Sequence, residues 1–570
     1  MVSKHNAARP RTLPAVSKYI SGYRGHKAPD AVFTRPEVAE FILDLTGYTA
    51  DIPLYEMRIL EPSFGAGNFL IPIVKRLLDS WRERNRRGAL LDISLMGNAI
   101  RAVESRRDIF DKTTANILAI LEDEGIDSDT GSRLTNNWLS HDDFLLSTLS
   151  GNFNFAVGNP PYIRPERIPA KLLKKYRSLY NTMSDRADIY VPFIERSLSL
   201  LTRGGRLGFI CSDRWMKNKY GDKLRNLVAQ DFHFNIFVDM VETSAFQSQV
   251  TAYPAIIVIS REEAGPTRVA SNPAIDKISL TSLARELLAK DLPKNTGSAR
   301  EIVGVVSGAN PWLLESLERG SIIRRIESEF PLLQDAGCKV GIGVATGADK
   351  EFIHDYDALD VEPDRKLKLV KTDDIVSGEV NWRGLGVINP FSENGQLVNL
   401  AEYPLLEKYL TERKTTLSRR YCARKNPANW YRALDRIRPQ LASTPKLLIP
   451  DIKAEANVVY ENGRFYPHHN LYYILADNWN LRALQAVLLS EITRLFIAAY
   501  STKMRGGYLR FQARNLRRLH VPRWSDVPGQ SRSALIDAGT RRDQDACDLA
   551  ASKLYRLTSH ERFVLNLKGE

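Results

Sequence analysis

Phe153-Asn154-Phe155-Ala156-Val157-Gly158-Asn159-Pro160-Pro161-Tyr162 is the stretch on which the reading of the fold turns. Phe153 to Val157 is an apolar run of strand length, and it ends on a segment that two prolines stiffen. An Asn-Pro pair is also a common way to open a surface turn, so the tetrapeptide from Asn159 to Tyr162 takes its meaning from its surroundings. Upstream, Glu61-Pro62-Ser63-Phe64-Gly65-Ala66-Gly67-Asn68-Phe69 follows a second short apolar strand, Met57 to Leu60.

From these two anchors a strand-then-helix rhythm spreads in both directions. Thr34-Arg35-Pro36-Glu37 has the spacing of a capping box, and a helix is expected over 36–46, ended by Gly47. Helices are expected over Asn68 to about Arg87, Arg107 to Glu124 and Ile189 to Leu201. Strands are expected at Ala99 to Glu104, Arg206 to Ile210, Asn235 to Met240 and Ala255 to Ile259. Such alternation predicts an α/β, doubly wound, mostly parallel sheet, followed by a mixed α+β domain. The domain reading is a basic arm over 1–30, a catalytic domain over 31–265, a linker rich in Pro, Ser, Thr and Lys over 266–300, a recognition domain over 301–525 and a helical tail over 526–570.

A chain of 570 residues is too long for one core, so several domains are expected. Its formal charge of +13 gives a field that attracts polyanions, although a membrane surface or an acidic protein would fit equally well. Cys211, Cys338, Cys422 and Cys547 show no Cys-x-x-Cys spacing, which argues against a disulfide framework and a zinc site. No apolar run approaches the roughly 18 residues of a spanning helix, so a cytoplasmic chain with no membrane partner is expected.

Gly65 and Gly67 lie between a strand and a helix, where the backbone can approach a ligand closely. The loop lacks the third glycine of a dinucleotide fingerprint and the Lys-Ser/Thr of a phosphate loop. Glu61 would repel a phosphate but suits a ligand carrying an ammonium and a sulfonium, and S-adenosyl-L-methionine is such a ligand. A tight turn with no ligand is the alternative. Glu104, at the end of the next strand, can accept both hydroxyls of a ribose. Asp143 could accept the amino group of an adenine and Phe144 could contact its face, although the pair also reads as a helix cap.

The exocyclic amine of a nucleobase is a poor nucleophile because its lone pair is delocalised into the ring. The amide oxygen of Asn159 and the carbonyl of Pro160 can accept its two hydrogens and direct the lone pair at a methyl donor. Pro160 and Pro161 fix that carbonyl, and Tyr162 offers a face on which an extruded base stacks.

Taken in order, Thr34 to Phe41, Glu61 to Phe69, Glu104, Asp143-Phe144, Asn159 to Tyr162 and Phe246 before Ala255 to Ile259 resemble the motifs of the amino-methyltransferases of DNA, specifically the gamma class that modifies adenine. The resemblance implies that Thr34 approaches the methionine end of the cofactor, with Arg35 a departure from the family's Thr-Pro. It implies that Phe246 packs on the other side of the flipped base. In the second half, Gly341 to Gly347, Lys446 to Ile452 and Arg505 to Phe511 are similar to specificity domains of the Taq I type.

Seven Lys/Arg and no acid lie between Lys503 and Trp524, and Lys503, Arg505, Tyr508, Arg510 and Arg514 are expected to contact duplex DNA. His468-His469 shows no partners at metal spacing, and no metal is expected. The family reading implies a stand-alone, monomeric modification enzyme of a bacterium or archaeon, paired with a separately encoded restriction endonuclease. Cytosine as the target and a non-catalytic DNA-binding subunit stay open. RNA guanine and release-factor glutamine methyltransferases share Asn-Pro-Pro-Tyr, usually on shorter chains.

Overall fold

A computed structural model of the chain describes residues 33–85, 91–246, 254–292, 297–314, 317–375, 378–453, 457–501 and 509–567. The expected basic arm lies outside the described residues. The chain divides into two compact units, Met1–Leu314 and Glu315–Glu570.

The first unit is built on nine strands: β1 (Ile59–Glu61), β2 (Ile100–Glu104), β3 (Leu139–His141), β4 (Phe153–Gly158), β5 (Leu201–Ser212), β6 (His233–Asp239), β7 (Pro254–Ser260), β8 (Thr267–Ser271) and β9 (Arg300–Ile302). Their order is β3-β2-β1-β4-β5-β7-β6-β8-β9. The five strands from β3 to β5 are parallel, and β7 runs antiparallel between β5 and β6. A strand covered on both faces needs apolar residues at every position rather than at alternate ones. That explains why all seven residues of β7 are buried.

The pleat assigns alternate residues to two cores. Ile59, Phe155, Val157, Ile210, Ile256 and Val258 face one, whereas Leu60, Ala156, Phe209, Ile257 and Ile259 face the other. On the first face lies α1 (Pro36–Thr46), with α2 (Leu70–Arg84) packed in the same core. The fit of α1 is tight. A side chain at Gly208 of β5 would come within 2.4 Å of Thr46 Cγ2 and 3.0 Å of Ile42 Cγ2, so only glycine allows the helix this close. The amphipathic α3 (Arg107–Asp123) buries Thr113, Ile117 and Leu121, while α4 (Tyr190–Ser199) fills the second core.

Two expectations change. The segment 266–300 is not a linker: β8, α5 (Lys277–Leu288) and β9 extend the sheet, and the unit ends at Leu314. Its polar texture misled because β9 is a three-residue edge strand with two exposed positions, and β8, between β6 and β9, mixes buried Thr267, Val269 and Ala270 with Arg268 and an exposed Ser271. Nor does Thr34 form a capping box. Arg35 is the N-cap of α1 and makes no side-chain capping bond, because Thr34 is extended and bridged to Phe246.

The second unit holds a four-stranded sheet of order β10-β18-β14-β16, made of Cys338–Ile342, Leu471–Ala476, Lys446–Pro450 and Val459–Glu461. A second four-stranded sheet, β11-β13-β12-β17, pairs Ile353–Asp355, Leu385–Ile388, Lys366–Val370 and Tyr466–Pro467. The short helices α6 (Lys414–Ser418) and α7 (Tyr421–Lys425) lead into a basic loop that runs to Arg438. The apolar run 481–500 breaks at Ser490 into α8 (Leu481–Leu489) and α9 (Glu491–Tyr500), which are largely buried. The expected tail packs into this unit through α10 (Gly529–Arg541) and α11 (Gln544–Leu554). Among the described residues no single helix is long and apolar enough to cross a membrane. The four cysteines are free thiols.

Candidate active site at the switch point of the sheet

From β1 the chain winds outward through β2 to β3, then returns to β4 on the opposite side of β1 and winds the other way. A reversal of this kind opens a crevice at the carboxyl ends of the two central strands. The two strands pair in register, Ile59 with Phe155 and Leu60 with Ala156, so Glu61 and Gly158-Asn159 emerge side by side. A Cβ placed on Gly158 would lie 3.6 Å from Pro62 Cδ and 3.8 Å from Glu61 Cγ. The glycine loop and the Asn-Pro-Pro-Tyr turn therefore open onto one crevice. A cleft of about 700 Å³ lined by Thr202, Arg203, Asp231 and Glu262 sits at the amino ends of the strands, away from these motifs.

Gly65 and Gly67 have φ of +51° and +87°, a region that costs a side chain roughly 1–2 kcal/mol. The loop is clamped at both polar groups of Gly65. Its N–H donates to Glu104 Oε2 at 3.1 Å, and its carbonyl accepts from Thr113 Oγ1 at 2.8 Å. The other Glu104 oxygen, Oε1, accepts from the N–H of Arg106 at 2.8 Å. Glu104 thus holds the loop it was expected only to accompany, while each of its oxygens keeps acceptor capacity for a ligand hydroxyl. Phe110 lies beside it, 5.9 Å from Phe64 and 5.5 Å from His141 between ring centres.

Glu61 is 1% exposed, and its Oε2 has no hydrogen-bond partner among the described residues. Burial, and then the neighbouring Glu104 carboxylate, push its carboxyl well above the usual range. A buried carboxylate oxygen with no donor is costly unless a cationic or donor group completes it. The donor set fits a ligand carrying an ammonium group beside the loop.

Thr34 ties the motifs together. Its carbonyl accepts from Asn68 Nδ2 at 2.8 Å, its Oγ1 accepts from Asn159 Nδ2 at 3.3 Å, and its backbone pairs with Phe246. The next residue, Arg35, donates its N–H to the carbonyl of Ala245 at 3.1 Å. Thr34, Asn68, Asn159 and Phe246, spread over two hundred residues of sequence, are thereby neighbours. Pro160 is buried and Pro161 half-buried. The Tyr162 hydroxyl donates to the carbonyl of Ile210 at 3.4 Å, and its ring lies 6.1 Å from that of Tyr190. Burial pushes the Tyr162 hydroxyl well above its ordinary value, so it stays neutral. At the end of β5, the buried Asp213 sits 3.5 Å from Lys217 Nζ; nothing in the local sequence marks either residue.

Asp143 and Phe144 both have partners within the protein. Asp143 accepts from the N–H of Leu145 at 2.9 Å and from the Tyr176 hydroxyl, and burial raises its carboxyl above the usual range. Phe144 is buried, covered by Phe193 at 5.1 Å and by the Arg196 guanidinium at 5.1 Å.

In the second unit, Lys503, Arg505 and Tyr508 lie outside the described residues. Arg510 is ion-paired with Asp451, and Arg514 is exposed. His468-His469 does have a partner, which corrects the expectation: His468 Nε2 lies 3.0 Å from Asp349 Oδ2, and ligand-capable atoms of Asp349, His468 and His469 fall within 4.8 Å of one another. His468 Nδ1 is also 3.0 Å from Asn470 Oδ1, so both of its ring nitrogens are hydrogen-bonded within the protein.

The strand order, with an acid, a glycine loop and Asn-Pro-Pro-Tyr gathered at one switch point, defines a Rossmann-like class I methyltransferase domain joined to a mixed α+β domain. Residues 86–246 match the family described as Eco57I restriction-modification methylase, and residues 393–521 match the TaqI-like C-terminal specificity domain. The chain is 58% identical to the type II methyltransferase M.PaeR7I of Pseudomonas aeruginosa, over 98% of this chain and 96% of that one. It is 49% identical to M.XhoI of Xanthomonas vasicola, over 94% and 98% of the two chains. Among solved structures, the type IIL restriction-modification enzyme MmeI in complex with DNA shares the fold with a TM-score of 0.60 at 12% identity, covering 93% of this chain and 74% of that one. The chain belongs to the type II methyltransferases of restriction-modification systems. S-adenosyl-L-methionine is the methyl donor this family implies, and the unmatched oxygen of Glu61 beside the glycine loop fits it.

Proposed function

We propose that the protein transfers a methyl group to the exocyclic amine of adenine at a specific site in duplex DNA, with the target base turned out of the helix. S-adenosyl-L-methionine, when bound, supplies an electrophilic methyl group. Glu61 would meet its ammonium, and the backbone of Gly65 to Gly67 would lie against it. With Nδ2 directed to Thr34, the Asn159 amide presents Oδ1 as its acceptor, and the Pro160 carbonyl is the second. Together they would accept both hydrogens of the amine as positive charge develops on its nitrogen. Tyr162 and Phe246 would flank the base, which must leave the stack for its amine to be reached. Much of the acceleration would come from holding amine and methyl in line.

The observation that carries this reading is the adjacency of Glu61 and Gly158-Asn159 across paired strands. The second unit would read sequence, and the chain would work as a cytoplasmic monomer alongside a separate endonuclease, without a metal. Single-molecule sequencing of DNA from cells expressing the chain tests the reading. Methylated adenine in one sequence context is expected, whereas methylated cytosine or unmodified DNA would overturn it.

A further inference from the structure

Between Arg413 and Arg438 the second unit carries nine Lys/Arg against one acid, Asp435, an excess comparable in density to that in the stretch after Lys503. The sole acid is occupied: Asp435 Oδ2 accepts the N–H of Ala345 at 2.9 Å, and its own N–H donates to the Ala345 carbonyl at 2.9 Å. Arg420 is the internal staple. It donates to the carbonyls of Leu417, Thr346, Trp430 and Arg432 at 2.8–3.2 Å and so fixes α6, α7 and the loop after them as one piece.

The charges this scaffold displays are not used inside the protein. Lys414, Arg419, Arg424, Lys425, Arg436 and Arg438 are all exposed, and none forms an ion pair among the described residues. Lys414 and Lys425 lie over the rings of Trp430 and Tyr421, and the Tyr421 ring itself is 67% exposed. Three of the described residues in the later basic stretch are engaged within the protein. Arg510 pairs with Asp451, Arg517 donates to the carbonyl of Val340, and Arg518 lies over the Tyr500 ring near Glu327.

Unpaired cations held at fixed spacing, with Tyr421 and Leu434 the exposed large apolar side chains among them, match a polyphosphate ligand better than a lipid surface. We infer that the Lys414–Arg438 strip is the main phosphate-binding surface of the recognition unit, and that its ligand is the backbone of duplex DNA. The inference rests on the proposed DNA methyltransferase reading. Contacts of this kind position the duplex without reading its sequence.

The test compares the full-length protein with a variant carrying Arg419→Glu, Arg424→Glu and Lys425→Glu. A control carries the same change in charge at exposed positions of the first unit, Arg84→Glu, Arg285→Glu and Lys290→Glu. Affinity for a fluorescent duplex without a target site is measured by anisotropy across a salt series. Each lost phosphate contact lowers the slope of log affinity against log salt by about 0.9, so the strip variant is expected to lose about 2 to 3 from the slope and about tenfold or more in affinity at low salt. The control should keep the wild-type slope. Thermal melting confirms that each variant is folded, and an Arg/Lys→Gln version of the strip variant should show a smaller change in the same direction. A folded strip variant with the slope of the wild type or of the control overturns the inference. If that occurs while wild-type protein methylates DNA, only the strip is refuted; if wild-type protein methylates no DNA, the functional reading fails instead.

Discussion

Asn159 Nδ2 lies 3.3 Å from Thr34 Oγ1, joining the turn after β4 to the segment before α1 across 125 residues of sequence. In the proposed mechanism this bond orients the Asn159 amide so that Oδ1 is its acceptor towards the substrate. Replacing Thr34 by Val keeps the shape and removes the acceptor. Turnover should fall about fivefold with little change in KM for the methyl donor, since one neutral hydrogen bond contributes about 1 kcal/mol. Thr34→Ser should recover most of the loss, and steady-state kinetics of the two variants check both expectations.

Asn159→Ala removes the acceptor itself. Loss of one such group at a charge-developing centre costs on the order of 10²-fold or more in turnover. DNA binding in a gel shift should be unchanged, because the residue belongs to the first unit and the basic strip to the second.

Glu61 gives a pH signature. Its carboxyl titrates well above the ordinary value of 4.5 because burial and Glu104 oppose its charge. The folded state therefore binds the proton more tightly than the unfolded chain. Stability from this group is full below the unfolded value and is lost as pH rises towards the folded one. Glu61→Gln should make the ligand-free protein more stable near neutral pH, with a flatter melting profile above pH 4.5. The same variant should bind S-adenosyl-L-methionine about tenfold or more weakly, measured by calorimetry.

Gly67→Ala meets two obstacles at once. The residue has φ of +87°, and the added Cβ would lie 3.1 Å from Thr113 Cγ2. A loss of about 1–3 kcal/mol in denaturant unfolding is expected, together with weaker binding of the methyl donor.

In the second unit, Lys446 and Glu461 face each other across β14 and β16, both almost fully buried and ion-paired. Glu461→Gln strands the ammonium in the sheet and should cost roughly 3–5 kcal/mol, whereas replacing the pair by apolar residues of similar volume should be tolerated.

The doubly wound sheet was legible because its strands are buried on both faces and so read as unbroken apolar runs, as in Phe153 to Val157 and Ala255 to Ile259. The short β8, which contains Arg268 and Ser271, and the edge strand β9 gave no such run and passed for a linker. The motifs at strand ends were legible one by one; their joining was not. The bonds of Thr34 to Asn68 and Asn159, and of Glu104 to Gly65, depend on strand order that local spacing does not encode. An acid before an aromatic, as at Asp143, fits a ligand and a turn equally well, and in this chain it accepts from Tyr176 and the N–H of Leu145. Asp349 and His468 meet across 119 residues, beyond the reach of any metal-spacing rule.

The measurement that bears most directly on the chemistry is methyl transfer from labelled S-adenosyl-L-methionine to unmethylated duplex DNA, followed by digestion to nucleosides. Label in N6-methyladenine, absent with the Asn159→Ala variant, is the expected result. Label in a cytosine derivative, no label at all, or full activity in that variant would contradict an amide oxygen and a proline carbonyl orienting an adenine amine.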